Sequence, residues 1–265
     1  DDTVEGGADD DEYMVTPGST DLVTDTGGDD RLNFSGASSG ITLDIDATTL
    51  QAATATGNVQ LSGVFEAVTG SGFDDSFSAD SLGSSRTIDG GGGTDTLTAD
   101  DVANAWSITG SDAGTVAGDV AFSGFESLQG GSDTDTFAFA DGVSFSGTVD
   151  GGSGSDALDY SAWTTAVTVD LDQGTATGTG GATNFVNATG GSGGDQLTGD
   201  DQDNVLDGGD GSDTLLGKDG NDLLSDGMGN DSLAGGDGDD QYVLTPGSDD
   251  VVEDNGENET VDFSG

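Results

Sequence analysis

Short stretches of the chain alternate between apolar and polar positions. Ile41, Leu43 and Ile45 are separated by Thr42 and Asp44, with Asp46 following. Val167, Val169 and Leu171 are likewise separated by Thr168 and Asp170, with Asp172 following. A period of two puts the apolar side chains of each stretch on one face, which predicts half-buried β-strands. No stretch carries a helical period. A second apolar signal recurs every nine residues. From Gly190 to Val243 run six consecutive nonapeptides, GGSGGDQLT, GDDQDNVLD, GGDGSDTLL, GKDGNDLLS, DGMGNDSLA and GGDGDDQYV. Their eighth positions are Leu197, Leu206, Leu215, Leu224, Leu233 and Tyr242. Their sixth positions are Asp195, Asp213, Asp222, Asp231 and Asp240, with Asn204 as the exception. The first six residues of each unit read as a turn and the last three as an extended segment whose apolar residue points inward.

The same unit occurs singly upstream, as GSGFDDSFS from Gly70, GGGGTDTLT from Gly90, GGSDTDTFA from Gly130 and GGSGSDALD from Gly151. Weaker turn signals at Thr26-Gly27-Gly28-Asp29, Gly110-Ser111-Asp112 and Asp170-Leu171-Asp172 fill most of the gaps. A turn about every 18–21 residues predicts an all-β solenoid whose coils each hold two short strands and two turns, continuous over residues 1–265. Two longer periods are superposed. Phe65, Phe125 and Phe185 lie 60 apart, each leading into a glycine turn, and residues 1–36 realign without gaps onto 230–265, an offset of 229. Pro17 and Pro246 fall at equivalent places in that repeat. The expectation is a segment of a tandem array, cut from a longer polymeric sequence, with neither end a natural cap.

Composition turns this pattern into a statement about ions. Only 31% of residues are hydrophobic and 49 are glycine, too little apolar volume for a thick core but enough for a thin stacked one. Against 53 acidic residues stand Arg31, Arg86 and Lys218, a formal charge of −50 that internal ion pairs cannot neutralise. A chain of low hydrophobicity and such self-repulsion stays unfolded without counter-charge, so folding and cation binding are expected to be one event. The sign of the charge excludes nucleic acid and anionic membrane as partners. No apolar run approaches the roughly 18 residues that span a bilayer, so no membrane insertion is expected. With no Cys and no His, only oxygen ligands remain, and many short oxygen donors favour Ca²⁺, which accepts six to eight in flexible geometry.

Stacking coils at about 4.8 Å per strand should bring Asp213 beside Asp195 and Asp231, and Asp240 beside Asp222. A bridging Ca²⁺ would convert their repulsion into attraction. At this point the units resemble the RTX, or haemolysin-type calcium-binding, nonapeptide family, GGxGxDxUx. The Gly90 and Gly151 units and the tandem array at 190–243 carry that resemblance. It implies a right-handed parallel β-roll with multiple Ca²⁺ held by position-six aspartates and turn carbonyls. The implied ligands are Asp11, Asp30, Asp75, Asp95, Asp135, Asp156, Asp195, Asp213, Asp222, Asp231 and Asp240, with glycines 91, 93, 152, 154, 191, 193, 209, 211, 220, 227, 229, 236 and 238. In residue terms these are Gly91, Gly93, Gly152, Gly154, Gly191, Gly193, Gly209, Gly211, Gly220, Gly227, Gly229, Gly236 and Gly238. It also implies type I export and folding outside the cell.

The functional expectation is a non-enzymatic, calcium-rigidified structural segment of an extracellular or bacterial cell-surface protein, serving adhesion, matrix or filament architecture. End-to-end self-association or contact with neighbouring repeats would suit that role. The alternative is a calcium-dependent secretion and folding domain of a type I secreted enzyme or toxin. Asp25-Thr26-Gly27 resembles an aspartic-protease triplet, but no second triplet exists to share a proton with it. Asp89, Asp150 and Asp207, just before Gly-Gly pairs, read equally as ligands or as turn formers. Trp106 and Trp163 are expected in the core or at coil corners.

Overall fold

The computed structural model describes residues 2–18, 20–54, 57–79, 85–246, 248–253, 256 and 258–263. Within the equivalent segments 1–36 and 230–265, Asp1, Ser19, Gly247, Asp254, Asn255, Glu257, Ser264 and Gly265 lie outside that description. The described chain is all β, without a helix, and almost all of its strand pairs are parallel. Two compact units are formed, one by residues 1–106 with 112–131, the other by 107–111 with 132–265.

In the first unit, one parallel stack runs through Glu12–Met14, Arg31–Asn33, Ala67–Thr69, Arg86–Asp89 and Val120–Ser123. Its register lines up Tyr13, Leu32, Val68, Ile88 and Phe122 as a ladder of side chains no more than 3% exposed. A second stack joins Thr42–Asp44, Ser76–Ala79, Thr96–Ala99 and Ser127–Gln129, and aligns Leu43, Phe77, Leu97 and Leu128, also buried. The predicted alternation at residues 41–46 holds: Ile41, Leu43 and Ile45 are buried, while Thr42 is exposed. A third sheet pairs Asp2–Glu5, Thr20–Thr24 and Asn58–Ser62.

In the second unit the tandem nonapeptides divide between two stacks by turns. Leu197, Leu215 and Leu233 align in one, and Leu206, Leu224 and Tyr242 in the other, each 18 residues from the next. Two nonapeptides therefore advance the chain from a strand to its parallel neighbour. The second stack continues back through Ala188 and Leu158 to Phe137. A strand needs one apolar residue facing the core per nonapeptide, and the position-eight side chain supplies it.

Outside the tandem array some steps keep the expected spacing, as between Tyr13 and Leu32, Val68 and Ile88, Phe77 and Leu97, and Phe137 and Leu158, while others are wider. Leu43 and Phe77 are partners 34 apart, and Leu32 and Val68 are partners 36 apart. Part of the extra length in the chain folds as antiparallel hairpins, Ala113–Val116 on Val120–Ser123 and Thr168–Asp170 on Thr175–Ala176.

The 60-residue period has a packing cause. Phe65, Phe125 and Phe185 each meet a strand aromatic edge-on, Tyr13, Phe77 and Phe137 respectively, with ring centroids 5.7, 6.2 and 5.2 Å apart. Edge-to-face pairs at this spacing stabilise by about 0.5–1.5 kcal/mol beyond area burial. Both tryptophans are buried as expected, Trp106 against Phe122 and Trp163 against Tyr160.

Candidate metal centre

The position-six aspartates sit where the turn enters the strand, and the strand register stacks them. In one stack the backbone N–H of Asp195 donates to Asp213 Oδ1 at 2.7 Å, and that of Asp213 donates to Asp231 Oδ1 at 2.7 Å. In the other, Asn204 N–H donates to Asp222 Oδ1 and Asp222 N–H to Asp240 Oδ1, both at 2.8 Å. The Asp135 amide donates likewise to Asp156 Oδ1 at 2.7 Å. In the first unit Asp11 donates to Asp30 Oδ1 at 2.9 Å, and Asp75 to Asp95 Oδ1 at 2.7 Å. The predicted neighbours are thus brought together, and each carboxylate is aimed by an amide of the adjacent turn.

Only one oxygen of each carboxylate is used in this way. Oδ2 of Asp30, Asp156, Asp213, Asp222 and Asp231 is buried and faces no hydrogen-bond donor, although these residues are at most 2% exposed. A carboxylate oxygen left dry and undonated costs several kcal/mol unless a cation takes it. Burial first, and then neighbouring carboxylates, push the Asp213 carboxyl up to about 7 and those of Asp95, Asp156 and Asp222 up to about 6. Asp231 is raised for the same reasons. A hard divalent cation fits this donor set, because every available ligand is an oxygen and the excess charge is negative.

Two position-six aspartates differ. Asp195 Oδ2 accepts the Gly191 N–H at 2.7 Å, and Asp75 Oδ2 accepts the Ser71 N–H at 2.6 Å. The turn amide that occupies them goes elsewhere when an acid precedes the first glycine: Gly91, Gly152 and Gly209 donate to Oδ1 of Asp89, Asp150 and Asp207, at 3.2, 3.0 and 3.2 Å. Those three acids therefore act as turn formers in this arrangement. Asn204 needs no cation. Its amide donates to the Val186 carbonyl at 2.8 Å and to Asp200 Oδ1 at 3.1 Å, and its Oδ1 accepts the Asp200 N–H.

The candidate glycines line the same turns. Asp210–Gly211 and Met228–Gly229 pair as a short parallel ladder, so the turns are stacked like the strands. The Gly191 and Gly209 carbonyls accept the Asp210 and Met228 amides at 2.8 Å, using one lone pair of each. Positive φ is adopted by all the candidate glycines except Gly191 and Gly193, which lie in the first turn of the tandem array. At Gly211, with φ of 143°, a Cβ would also strike the Gly193 carbonyl, so the close approach of successive turns requires glycine there.

Glu66 and Glu126 belong to the same acidic ladder and were missed by the nonapeptide pattern. Their Oε2 atoms accept the Asp30 and Asp95 amides, both at 2.7 Å. The available signal was the shared acid after Phe65 and Phe125, in VFEAV and GFESL.

A family model for the RTX calcium-binding nonapeptide repeat matches the chain in four copies, over residues 87–104, 189–224 and 216–251. No curated protein matches the chain.

Proposed function

We propose that this chain, a calcium-binding region built on RTX nonapeptide repeats, is a structural segment of a large extracellular or cell-surface protein, folded and stiffened by Ca²⁺ in its turns. The observation that carries the reading is the set of buried, undonated Oδ2 atoms at Asp213 and Asp231, which stack with carboxylates on either side, and at Asp222, which stacks on Asp240. In this reading the ligands are the position-six aspartates and the turn carbonyls named above. The tandem array winds as a right-handed β-roll with 18 residues per coil. Residues 1–265 form one continuous segment in which 1–36 and 230–265 are equivalent parts of a 229-residue repeat. That internal repeat favours an architectural role, in adhesion, matrix or filament, over a calcium-dependent export domain, because repetition at that length supplies reach and stiffness. Repeats of this kind are calcium-binding structural elements and not catalytic ones.

Far-UV circular dichroism of the full chain tests the reading. A disordered spectrum in EDTA should become β-rich as Ca²⁺ reaches roughly 10⁻⁴ to 10⁻³ M, the range of extracellular modules. Unchanged β-structure after complete chelation would defeat it.

A further inference from the structure

Nine of the ten turn units quoted above open on glycine, and the reason is steric. A Cβ at position one would press on the position-six carboxylate of its own unit: it would lie 2.6 Å from Asp213 Oδ2 at Gly208 and 2.7 Å from Asp156 Oδ2 at Gly151, and closer still at Gly190, Gly217 and Gly235. Two units defy this. DGMGNDSLA opens on Asp226, and the turn leading into Leu32, DTGGDDRLN, opens on Asp25. In both, a second carboxylate occupies the space that glycine otherwise leaves clear beside the sixth.

Among the described residues these are also the two places where three carboxylates converge. Oxygens of Asp11, Asp25 and Asp30 lie within 4.8 Å of one another, and so do those of Asp226, Asp231 and Asp250. Asp25 and Asp30 are 6% and 1% exposed, Asp226 and Asp231 0% and 2%. Each cluster has the same construction: the position-one acid, the position-six acid of the same unit, and an acid of the adjoining turn joined by an amide, Asp11 N–H to Asp30 Oδ1 at 2.9 Å and Asp231 N–H to Asp250 Oδ1 at 3.1 Å. In each, the position-six Oδ2 is buried and receives no donor. The position-one acids are held in place. The Tyr13 hydroxyl and the Gly27 N–H donate to Asp25 at 2.9 and 2.6 Å, and the Thr245 N–H donates to both oxygens of Asp226 at 2.9 and 3.1 Å.

No basic side chain compensates for them. Arg86 pairs with Asp46, Lys218 pairs with Asp172 at 2.9 Å, and Arg31 lies on the exposed face of its strand. Three carboxylates held this close in a dry turn repel strongly unless a cation lies among them.

We infer that Asp25 and Asp226 each complete a closed three-carboxylate site for a divalent cation, with Asp11 and Asp30 in one and Asp231 and Asp250 in the other. Resting on the calcium reading above, these two sites bind Ca²⁺ more tightly than turns that open on glycine, since a third carboxylate raises ligand charge and enclosure, the two properties that tune Ca²⁺ affinity. They would fill first and start the ordering of the adjoining coils.

Calorimetric Ca²⁺ titration of the full chain at pH 7.5 tests this, with the double variants Asp25→Gly/Asp226→Gly, which restore the usual glycine, and Asp25→Asn/Asp226→Asn, which keep the side-chain shape. Circular dichroism at saturating Ca²⁺ establishes that each is folded. The parent should show two ions bound roughly tenfold or more tightly than the rest, and both variants should lose that class while keeping the weaker one. Variants that titrate like the parent, or more tightly, overturn the inference and leave the calcium reading intact; a parent that binds no Ca²⁺ overturns both. If the glycine variant does not fold, the asparagine variant decides. Proton sharing within the clusters in place of metal binding would appear as an unchanged stoichiometry, and counts against it.

Discussion

The amide of Asp213 donates to Oδ1 of Asp231, 18 residues onward, at 2.7 Å. This one contact links register, burial and charge. Because the amide belongs to the residue that leads into the strand Thr214–Asp219, a carboxylate is aimed only when the two coils are in register. Because the carboxylate is then buried, its second oxygen must be met by something other than water. Folding of the stack therefore creates the electrostatic debt that a cation removes, which is the physical basis for coupling folding to metal binding.

Asp213→Asn should change sign with calcium. Asn204 demonstrates that an amide at this position can find partners both in its own turn and in the adjoining coil. Without Ca²⁺, the substitution removes a buried charge lying between Asp195 and Asp231, and the variant should hold more β-structure than the parent. At saturating Ca²⁺ a charged ligand is lost, and the variant should be less stable by about 1–3 kcal/mol, the scale of a charged hydrogen-bonding partner. Circular dichroism in EDTA and thermal melts in saturating Ca²⁺ check the crossing; a variant as stable as the parent in Ca²⁺ would show that the carboxylate is not a ligand.

Acid should partly replace calcium. The folded, cation-free carboxyls of Asp95, Asp156 and Asp222 lie near 6 and that of Asp213 near 7, above the ordinary Asp value of 3.8. The folded state then binds more protons than the unfolded one between about pH 4 and pH 7, so stability is greatest below that window and falls as pH rises through it. In EDTA, β-structure should increase on going from about pH 7.5 to about pH 4.5. With Ca²⁺ present the trend should reverse, since protons then compete with the ion, and binding near pH 6 should release protons. A cation-free chain no more structured at the lower pH would contradict the burial of these groups.

Much of this was legible in the chain because the two signals reinforce one another. A nonapeptide that repeats without insertion fixes both the apolar residue of each strand and the acid of each turn, so Leu197, Leu215 and Leu233, and with them Asp195, Asp213 and Asp231, fall into stacks from counting alone. What counting could not give was which oxygen is free. Asp195 and Asp213 occupy the same place in their units, yet the first spends Oδ2 on the Gly191 amide and the second does not. The difference coincides with the residue before the first glycine, Thr189 in one and Asp207 in the other, since Asp207 takes the turn amide itself. Glu66 and Glu126 escaped because they enter the acidic ladder from outside the nonapeptides. Asp25 was masked by its likeness to a catalytic triplet, and its partner Asp30 lies five residues further on, a separation that becomes meaningful only once position one is known to face position six.

The leucine ladder should carry the stability of the calcium-bound state. Leu215 is 1% exposed and lies between Leu197 and Leu233, whereas its neighbour Leu216 is 37% exposed. Leu215→Ala should cost about 2–5 kcal/mol by removing buried contacts from a thin core with few atoms available to fill the space. Leu216→Ala should stay within about 0.5 kcal/mol, as surface substitutions do. Denaturant unfolding at saturating Ca²⁺ separates them, and equal effects would mean that the position-eight residues are not the core.

Two glycines in equivalent turns should respond oppositely to alanine. Gly211 has φ of 143°, and a Cβ there would overlap the Gly193 carbonyl of the adjoining turn. Gly92 has no atom within 4 Å of the corresponding Cβ position and no positive φ. Gly211→Ala must either strain the backbone or push two turns apart, and either outcome disturbs the stacked carboxylates, so it should cost more than about 1 kcal/mol and raise the Ca²⁺ concentration needed for folding. Gly92→Ala meets nothing and removes conformational freedom from the unfolded chain, so it should be neutral or stabilising by up to about 1 kcal/mol. The Ca²⁺ midpoint of the circular dichroism transition measures both. Were Gly211→Ala to fold at the parent's midpoint, close stacking of the turns could not be what positions the ligands.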